Sequence, residues 1–166
     1  MRYLRRLLVG TIGAVSLVSA GSMSVGAHEA GTLVEFDSMT PVSGAAVGTM
    51  NDRGITGGGK PWVIRSGRGE VDLNGNVKVH VRGLVIPVAP FDGTNPIASF
   101  KATVSCLTPG GVVNVSTGLF NANSHGDSQI HGSVSLPKVC MDPIVFVGNA
   151  GGAWFAMSNS ERDGED

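Results

Sequence analysis

The chain has 166 residues, a length typical of one domain. Its 12 Lys and Arg are balanced by 13 Asp and Glu, so the formal net charge is −1. A nucleic-acid binder needs a basic face that displaces counterions from phosphates, so this charge balance argues against nucleic acid as a partner. Only 15% of the residues are charged, but 42% are hydrophobic, which argues against disorder.

The first 27 residues have the pattern of a bacterial signal peptide. Three arginines within the first six residues precede an apolar stretch, Leu7 to Val18, which is too short to span a bilayer comfortably. Small residues then offer cleavage after Ala20 or after Ala27, and we favour Ala27. No cysteine lies near this stretch to carry a lipid, and no later run is long enough for a membrane span. We therefore predict a secreted or otherwise extracytoplasmic mature chain.

The mature chain is predicted to consist of one domain, residues 28–158, and a flexible acidic tail, residues 159–166. It holds two cysteines, Cys106 and Cys140. In an oxidising compartment a lone pair of cysteines usually forms a disulfide bond. The alternatives are two buried thiols or a metal pair, but no CxxC spacing or Cys-His cluster indicates a metal.

Alternating apolar and polar residues predict an all-β domain after the signal peptide. No stretch has helical periodicity without an interrupting Gly or Pro, whereas period-two alternation recurs. Many short strands with Gly and Pro turns indicate a β-sandwich or a partly closed barrel. We expect about seven to nine real strands among ten candidate segments, which are 32–36, 45–50, 61–66, 69–73, 77–86, 98–107, 112–117, 129–136, 143–148 and 153–158.

The first predicted hairpin turns at Asn74–Asn76. A three-residue loop pairs Leu73 with Val77, and it places Asp72 opposite Lys78 as a favourable charge pair. It requires Asn76 in the left-handed region, which Asn tolerates.

The second predicted hairpin has a four-residue loop, residues 108–111. This loop pairs Leu107 with Val112 and Cys106 with Val113, so the apolar faces match. Cys106 is then expected in the core.

The segment Gly54–Pro61 nearly matches the phosphate-binding pattern GxxxxGK[ST]. Pro61 stands where Ser or Thr must supply a hydroxyl to magnesium, and a strand-like segment follows instead of a helix. We therefore reject nucleotide binding and expect a flexible loop or tight bend.

Four residues are candidate metal ligands: His28, His125, Asp127 and His131. Cleavage after Ala27 makes His28 the first mature residue, whose free amine and imidazole can chelate copper together. Nitrogen and carboxylate donors suit copper or zinc. The spacing H-x-D-x3-H matches no metal signature, however, and surface histidines are the simpler interpretation.

No catalytic site is predicted. There is no Gly-x-Ser-x-Gly elbow, and the carboxylates stand at turn or solvated positions. Trp62 and Trp154 could stack on sugars if they were exposed, but apolar neighbours favour core packing for both.

Segments of the sequence also resemble two groups of known proteins. The segments Arg53–Ile55 with Gly57–Ile64, Ser99–Leu107, Pro143–Val147 and Gly151–Ala156 together resemble a group of small exported bacterial proteins of unknown function. Met39-Thr40-Pro41-Val42, followed by small residues, is similar to the opening of CHRD domains, which are exported β-rich modules linked to extracellular binding. The first resemblance implies no activity or ligand.

The sequence therefore predicts an exported, non-enzymatic structural or binding module without a cofactor. The alternative is an exported copper- or zinc-binding protein that uses His28. A third hypothesis is a hydrolase whose site follows no recognised pattern.

Overall fold

The computed structural model describes residues 31–159, and the predicted signal peptide (1–27) with His28 lies outside them. The described chain contains β-strands, one short 3-10 helix (Gly44–Ala46) and no α-helix, so the all-β prediction is confirmed. The strands are β1 (Thr32–Phe36), β2 (Met39–Pro41), β3 (Ser66–Asp72), β4 (Asn76–Arg82), β5 (Ser99–Thr108), β6 (Gly111–Ser116), β7 (Phe120–Asn121), β8 (Ser128–Ser133), β9 (Met141–Gly148) and β10 (Trp154–Ser158).

The strands form two antiparallel sheets that pack as a sandwich. The first sheet has four strands in the order β1-β3-β4-β8. The second has the order β2-β10-β9-β5-β6, and β7 pairs with the start of β5. The sheets do not close on themselves within the described residues, so the sandwich is the correct one of the two predicted architectures.

Alternating side chains fill the space between the sheets. On β4, Val77, Val79 and Val81 are buried, while Lys78 and Arg82 face solvent. Burying each such valine contributes about 1.5–3 kcal/mol relative to leaving it exposed. The largest fully buried side chains are Phe36, Phe100, Phe146, Leu84, Ile130, Val42, Val71, Val77, Val79, Val81, Val104 and Val145.

The β3–β4 hairpin has a register different from the predicted one. Val71 pairs with Val77, a shift of two residues, and Lys78 lies opposite Glu70 instead of Asp72. The Lys78 Nζ atom is 2.7 Å from the Glu70 carboxylate. A shift by two residues keeps the same side chains on the core face, so the face alternation could not reveal the error.

The physical reason for the shift is the side chain of Asp72. Its carboxylate accepts hydrogen bonds from the backbone N–H groups of Asn74 (2.9 Å) and Asn76 (2.8 Å), which closes the turn locally. Gly75, with φ of 83°, takes the left-handed position that was predicted for Asn76. Glycine adopts positive φ more readily than asparagine does. Leu73 is left exposed in the turn.

The β5–β6 hairpin has the predicted register. Leu107 pairs with Val112 and Cys106 with Val113, and one further pair shortens the loop to residues 109–110. Cys106 is fully buried and forms the predicted disulfide bond with Cys140.

Two predicted strands are loops. Segment 45–50 continues from the 3-10 helix into turns, and segment 61–66 contains only an isolated bridge between Val63 and Val85 before β3 begins. Trp62 instead donates its backbone N–H to the carbonyl of Val42 at 2.9 Å. Strands β2 and β7 were not predicted, because three and two residues are too few for alternation to be recognised.

Arg53 fastens the loop between β2 and β3 to the six-stranded sheet. It is only 7% exposed. Its guanidinium donates to the carbonyl of Asp142 (2.9 Å), pairs with the Asp142 carboxylate and lies 3.4 Å from the Ser105 carbonyl. Asn114 donates to the Arg53 carbonyl at 2.8 Å. Because a buried charge is costly without partners, these contacts fix the loop in one place.

Strands β9 and β10 match the two predicted C-terminal strands, residues 143–148 and 153–158. Ile144–Val147 is buried or half-buried on both faces. Ser158 accepts the N–H of Val145 at 3.0 Å. Asn159, the first residue of the predicted tail, donates its backbone N–H to the carbonyl of Ser38 at 3.1 Å. Residues 160–166 lie outside the described part of the chain.

Candidate functional site

An apolar pocket of about 370 Å³ opens where three loops meet beside β10. The loops are the β2–β3 loop, the β4–β5 loop and the β9–β10 turn. This volume is near the lower end of the range of about 300–1,000 Å³ that is typical of small-molecule sites. The apolar side chains that line the pocket are Trp62, Ile86, Phe91, Pro96, Ile97, Ala153 and Phe155.

Stacked aromatic rings form one wall of the pocket. The rings of Trp62 and Phe155 are 4.1 Å apart and nearly parallel, and Phe100 meets Trp62 edge-on at 6.4 Å. Trp62 and Phe155 are each only 3% exposed. Trp62 and Trp154 are both buried, which confirms the core packing expected for them. The pocket therefore has a rigid wall.

The glycine-rich segment allows the backbone to lie against this wall. A Cβ atom added to Gly58 would be 2.9 Å from the Phe155 ring and 3.0 Å from Trp62 Nε1. Any larger residue would therefore push the loop away from the stacked rings. The glycine composition that first indicated a flexible loop is explained by this close approach.

The rim of the pocket carries hydrogen-bond donors. Lys60 is exposed and forms no ion pair with another residue of the described chain. Asn149 accepts the N–H of Ala153 at 3.1 Å, which leaves its amide hydrogens available. An apolar lining with donors at the edge suits a ligand with an apolar body and an anionic end.

The backbone of the phosphate-loop-like segment is already engaged in the fold. The N–H of Gly57 donates to the Thr49 carbonyl and that of Gly58 to the Trp154 carbonyl, both at 2.9 Å. A phosphate-binding loop needs such groups free and pointing at the ligand. The rejection of nucleotide binding therefore agrees with the geometry, although the segment is a packed bend and not a free loop.

The structure describes three of the four predicted metal ligands, His125, Asp127 and His131, and does not gather them into a metal site. His28 lies outside the described residues. His125 is exposed in the β7–β8 loop, where its backbone N–H donates to the Asn123 side chain at 3.0 Å. Residues 31–159 contain no group of three or more His, Cys, Asp or Glu side chains that could hold a metal ion.

Asp127 anchors a loop. One carboxylate oxygen accepts the backbone N–H of Gly83 at 2.9 Å, and the other accepts from Asn123 at 3.3 Å. The Gly83 hydrogen bond is the main cause of a lowered Asp127 pKa, and the Asn123 side chain also lowers it. The carboxylate therefore joins the β4–β5 loop to the β7–β8 loop.

His131 lies beside a histidine that was not considered as a ligand. Its Nε2 atom is 3.0 Å from the Nε2 atom of His80 on the neighbouring strand. The residues stand 51 positions apart in the chain. Only the pairing of β4 with β8 reveals their contact, and no local pattern in the sequence could have shown it.

Several carboxylates have structural partners. Asp142 pairs with Arg53, Glu70 with Lys78, and Asp72 closes the β3–β4 turn. These contacts agree with the interpretation of the carboxylates as turn and surface groups.

Comparison with known proteins gives no match: no family model, no curated protein and no solved structure matches this chain. The resemblances to small exported proteins and to CHRD domains therefore stay predictions. Within residues 31–159, no helix has the length and apolar character needed to cross a membrane.

Proposed function

We propose that this protein is an exported, non-enzymatic binding module for a small ligand that has an apolar body and an anionic end. The observation that carries the proposal is the pocket beside Trp62 and Phe155, which is apolar inside and has Lys60 at its rim. Burial of the apolar part would supply most of the affinity, and the ammonium group would orient the ligand.

Two features support export. The N-terminal pattern is that of a signal peptide, and the disulfide bond between Cys106 and Cys140 is typical of proteins that leave the reducing cytosol. The oxidised pair alone does not define the compartment, and the proposal depends on both features together.

The intrinsic fluorescence of Trp62 tests the proposal. Trp154→Phe leaves Trp62 as the only tryptophan, and it also removes a buried indole N–H that has no partner among the described residues. Titrating this variant with saturated alkyl carboxylates of increasing length should change the emission of Trp62 until it saturates. The matching alkyl alcohols should bind more weakly, because they carry no charge for Lys60.

Three further variants identify the site. Lys60→Met should weaken carboxylate binding but not alcohol binding, whereas Lys138→Met, a charge removal at an exposed position outside the pocket lining, should have no effect. Gly59→Leu should block the pocket, since nothing lies within 4 Å of a Cβ atom there and the side chain can turn into the opening. Unchanged Trp62 emission with every ligand, or full binding by Gly59→Leu, would overturn the proposal.

A further inference from the structure

The outer face of the four-stranded sheet carries a preformed pair of histidines. His80 lies on β4 and His131 on β8, with ring centroids 5.1 Å apart and ring planes tilted by 48°. Their Nε2 atoms are 3.0 Å apart. From this geometry we propose that the pair binds one divalent ion of the copper–zinc class, with water in the remaining coordination positions.

Strand pairing fixes the two side chains in position. His80 pairs with Gln129, and His131 pairs with Lys78, so the two histidines are diagonal neighbours on adjacent strands. Diagonal positions are about 7–8 Å apart, a distance that two imidazole side chains can bridge. Their neighbours Val79, Val81 and Ile130 point into the core, which holds both histidines on the outer face. The site therefore requires little rearrangement to bind an ion.

The separation of the nitrogen atoms matches metal coordination. Zinc–imidazole bonds are about 2.0–2.1 Å long, so two nitrogens bound to one ion at adjacent positions lie about 2.8–3.4 Å apart. The observed 3.0 Å falls inside this range. In the metal-free protein the same distance allows one ring to donate a hydrogen bond to the other. An ion would replace that shared proton.

The surrounding charges favour a metal that bonds strongly to nitrogen. Burial and the neighbouring His131 lower the pKa of His80, and Arg68 and Arg82 lie close enough to lower it further. A neutral imidazole is the form that binds metal. The two arginines repel every divalent cation, so binding depends on strong bonds to nitrogen. Calcium and magnesium require several oxygen ligands instead, which disfavours them at this pair. Imidazole suits copper and zinc instead.

The histidine pair is independent of the apolar pocket. No residue that lines the apolar pocket lines either of the two depressions beside His80. The failure of one proposal would therefore leave the other untouched. The pair also does not need His125, or Asp127, whose carboxylate accepts the backbone N–H of Gly83.

Zinc competition with a chromophoric chelator tests the inference on the full mature chain. The unmodified protein should withdraw one zinc ion per chain from the chelator. His80→Ala and His131→Ala should each weaken binding at least about tenfold, the lower end of the loss seen even for residues that only support a ligand. His125→Ala and His28→Ala should bind as the unmodified protein does.

A second measurement uses the unmodified protein and therefore does not depend on whether the variants fold. In the unmodified protein, zinc should shift the imidazole nitrogen resonances of His80 and His131 in NMR spectra and leave those of His125 in place. The inference is overturned if the protein takes no zinc, if His80→Ala binds as well as the unmodified protein, or if His28→Ala alone abolishes binding. The last result would assign the metal to the mature N-terminus.

Discussion

Asp127 shows how a side chain with metal-binding chemistry can serve the fold instead. Its carboxylate accepts the N–H of Gly83, 44 residues away in the chain, and is also held by Asn123. These bonds stabilise the ionised form and lower the pKa below its ordinary value of 3.8. A carboxylate engaged in this way connects two loops.

The lowered pKa of Asp127 predicts a pH dependence of stability. Because the folded pKa lies below the unfolded one, the stabilisation is fully present above about pH 4 and is lost as the pH falls through the folded pKa. Asp127→Asn should therefore be less stable than the unmodified protein at pH 7, and the difference should shrink on acidification. Urea unfolding at a series of pH values measures this difference.

The exposed Asp52 provides the control for this measurement. It accepts no hydrogen bond from the described residues, so Asp52→Asn should show no comparable change between pH 7 and pH 3. A difference for Asp127→Asn that stays constant with pH would show that the carboxylate charge is not involved.

At the scale of one element, the glycine-rich loop serves both the fold and the pocket. The loop inserts Gly57 against the 3-10 helix, where an added Cβ would be 2.1 Å from the carbonyl oxygen of Ala46. Gly57 also forms a parallel bridge with Trp154. The loop therefore continues the edge of the six-stranded sheet and at the same time forms a wall of the pocket.

Alanine substitutions at two nearby positions of this loop should differ in their effect on stability. Gly57→Ala forces the backbone apart and should destabilise the protein by about 1–3 kcal/mol or more. Gly59→Ala meets no atom within 4 Å, so it should be neutral or stabilise by up to about 1 kcal/mol through the unfolded chain. Denaturant unfolding compares the two. Equal effects would contradict the packing described for this loop.

The strands that were predictable have a long alternation, as in β5, or a continuous apolar run, as in β9. The sequence indicated both closely, and the β5–β6 register followed from matching apolar faces. It extended the strand that begins near Val77 to residue 86, whereas β4 ends at Arg82. It misplaced the β3–β4 turn, because the bonds made by Asp72 determine that register and face alternation is blind to a two-residue shift. The loops around the pocket and the contact of His80 with His131 depend on long-range packing, which local patterns do not encode.

At the scale of the whole molecule, the fold is a sandwich whose larger sheet carries a covalent link between two neighbouring strands. The disulfide bond joins Cys106, near the end of β5, to Cys140, directly before β9. Its sequence separation is 34 residues. In the chain-entropy model, closing a loop of that size stabilises the fold by about 3–4 kcal/mol. This is a substantial part of the roughly 5–15 kcal/mol that holds a typical domain together.

The proposed function requires an exported, oxidised chain that binds a small amphiphile with an anionic end. A bacterial host expresses the full-length precursor, and the secreted product is mixed with an alkyl carboxylate. Native mass spectrometry then tests cleavage, disulfide formation and ligand binding together. We predict a chain that starts at His28, lacks the two hydrogens lost in the Cys106–Cys140 bond and retains one carboxylate molecule. A chain that keeps residues 1–27, carries two free thiols or retains no carboxylate would contradict the account.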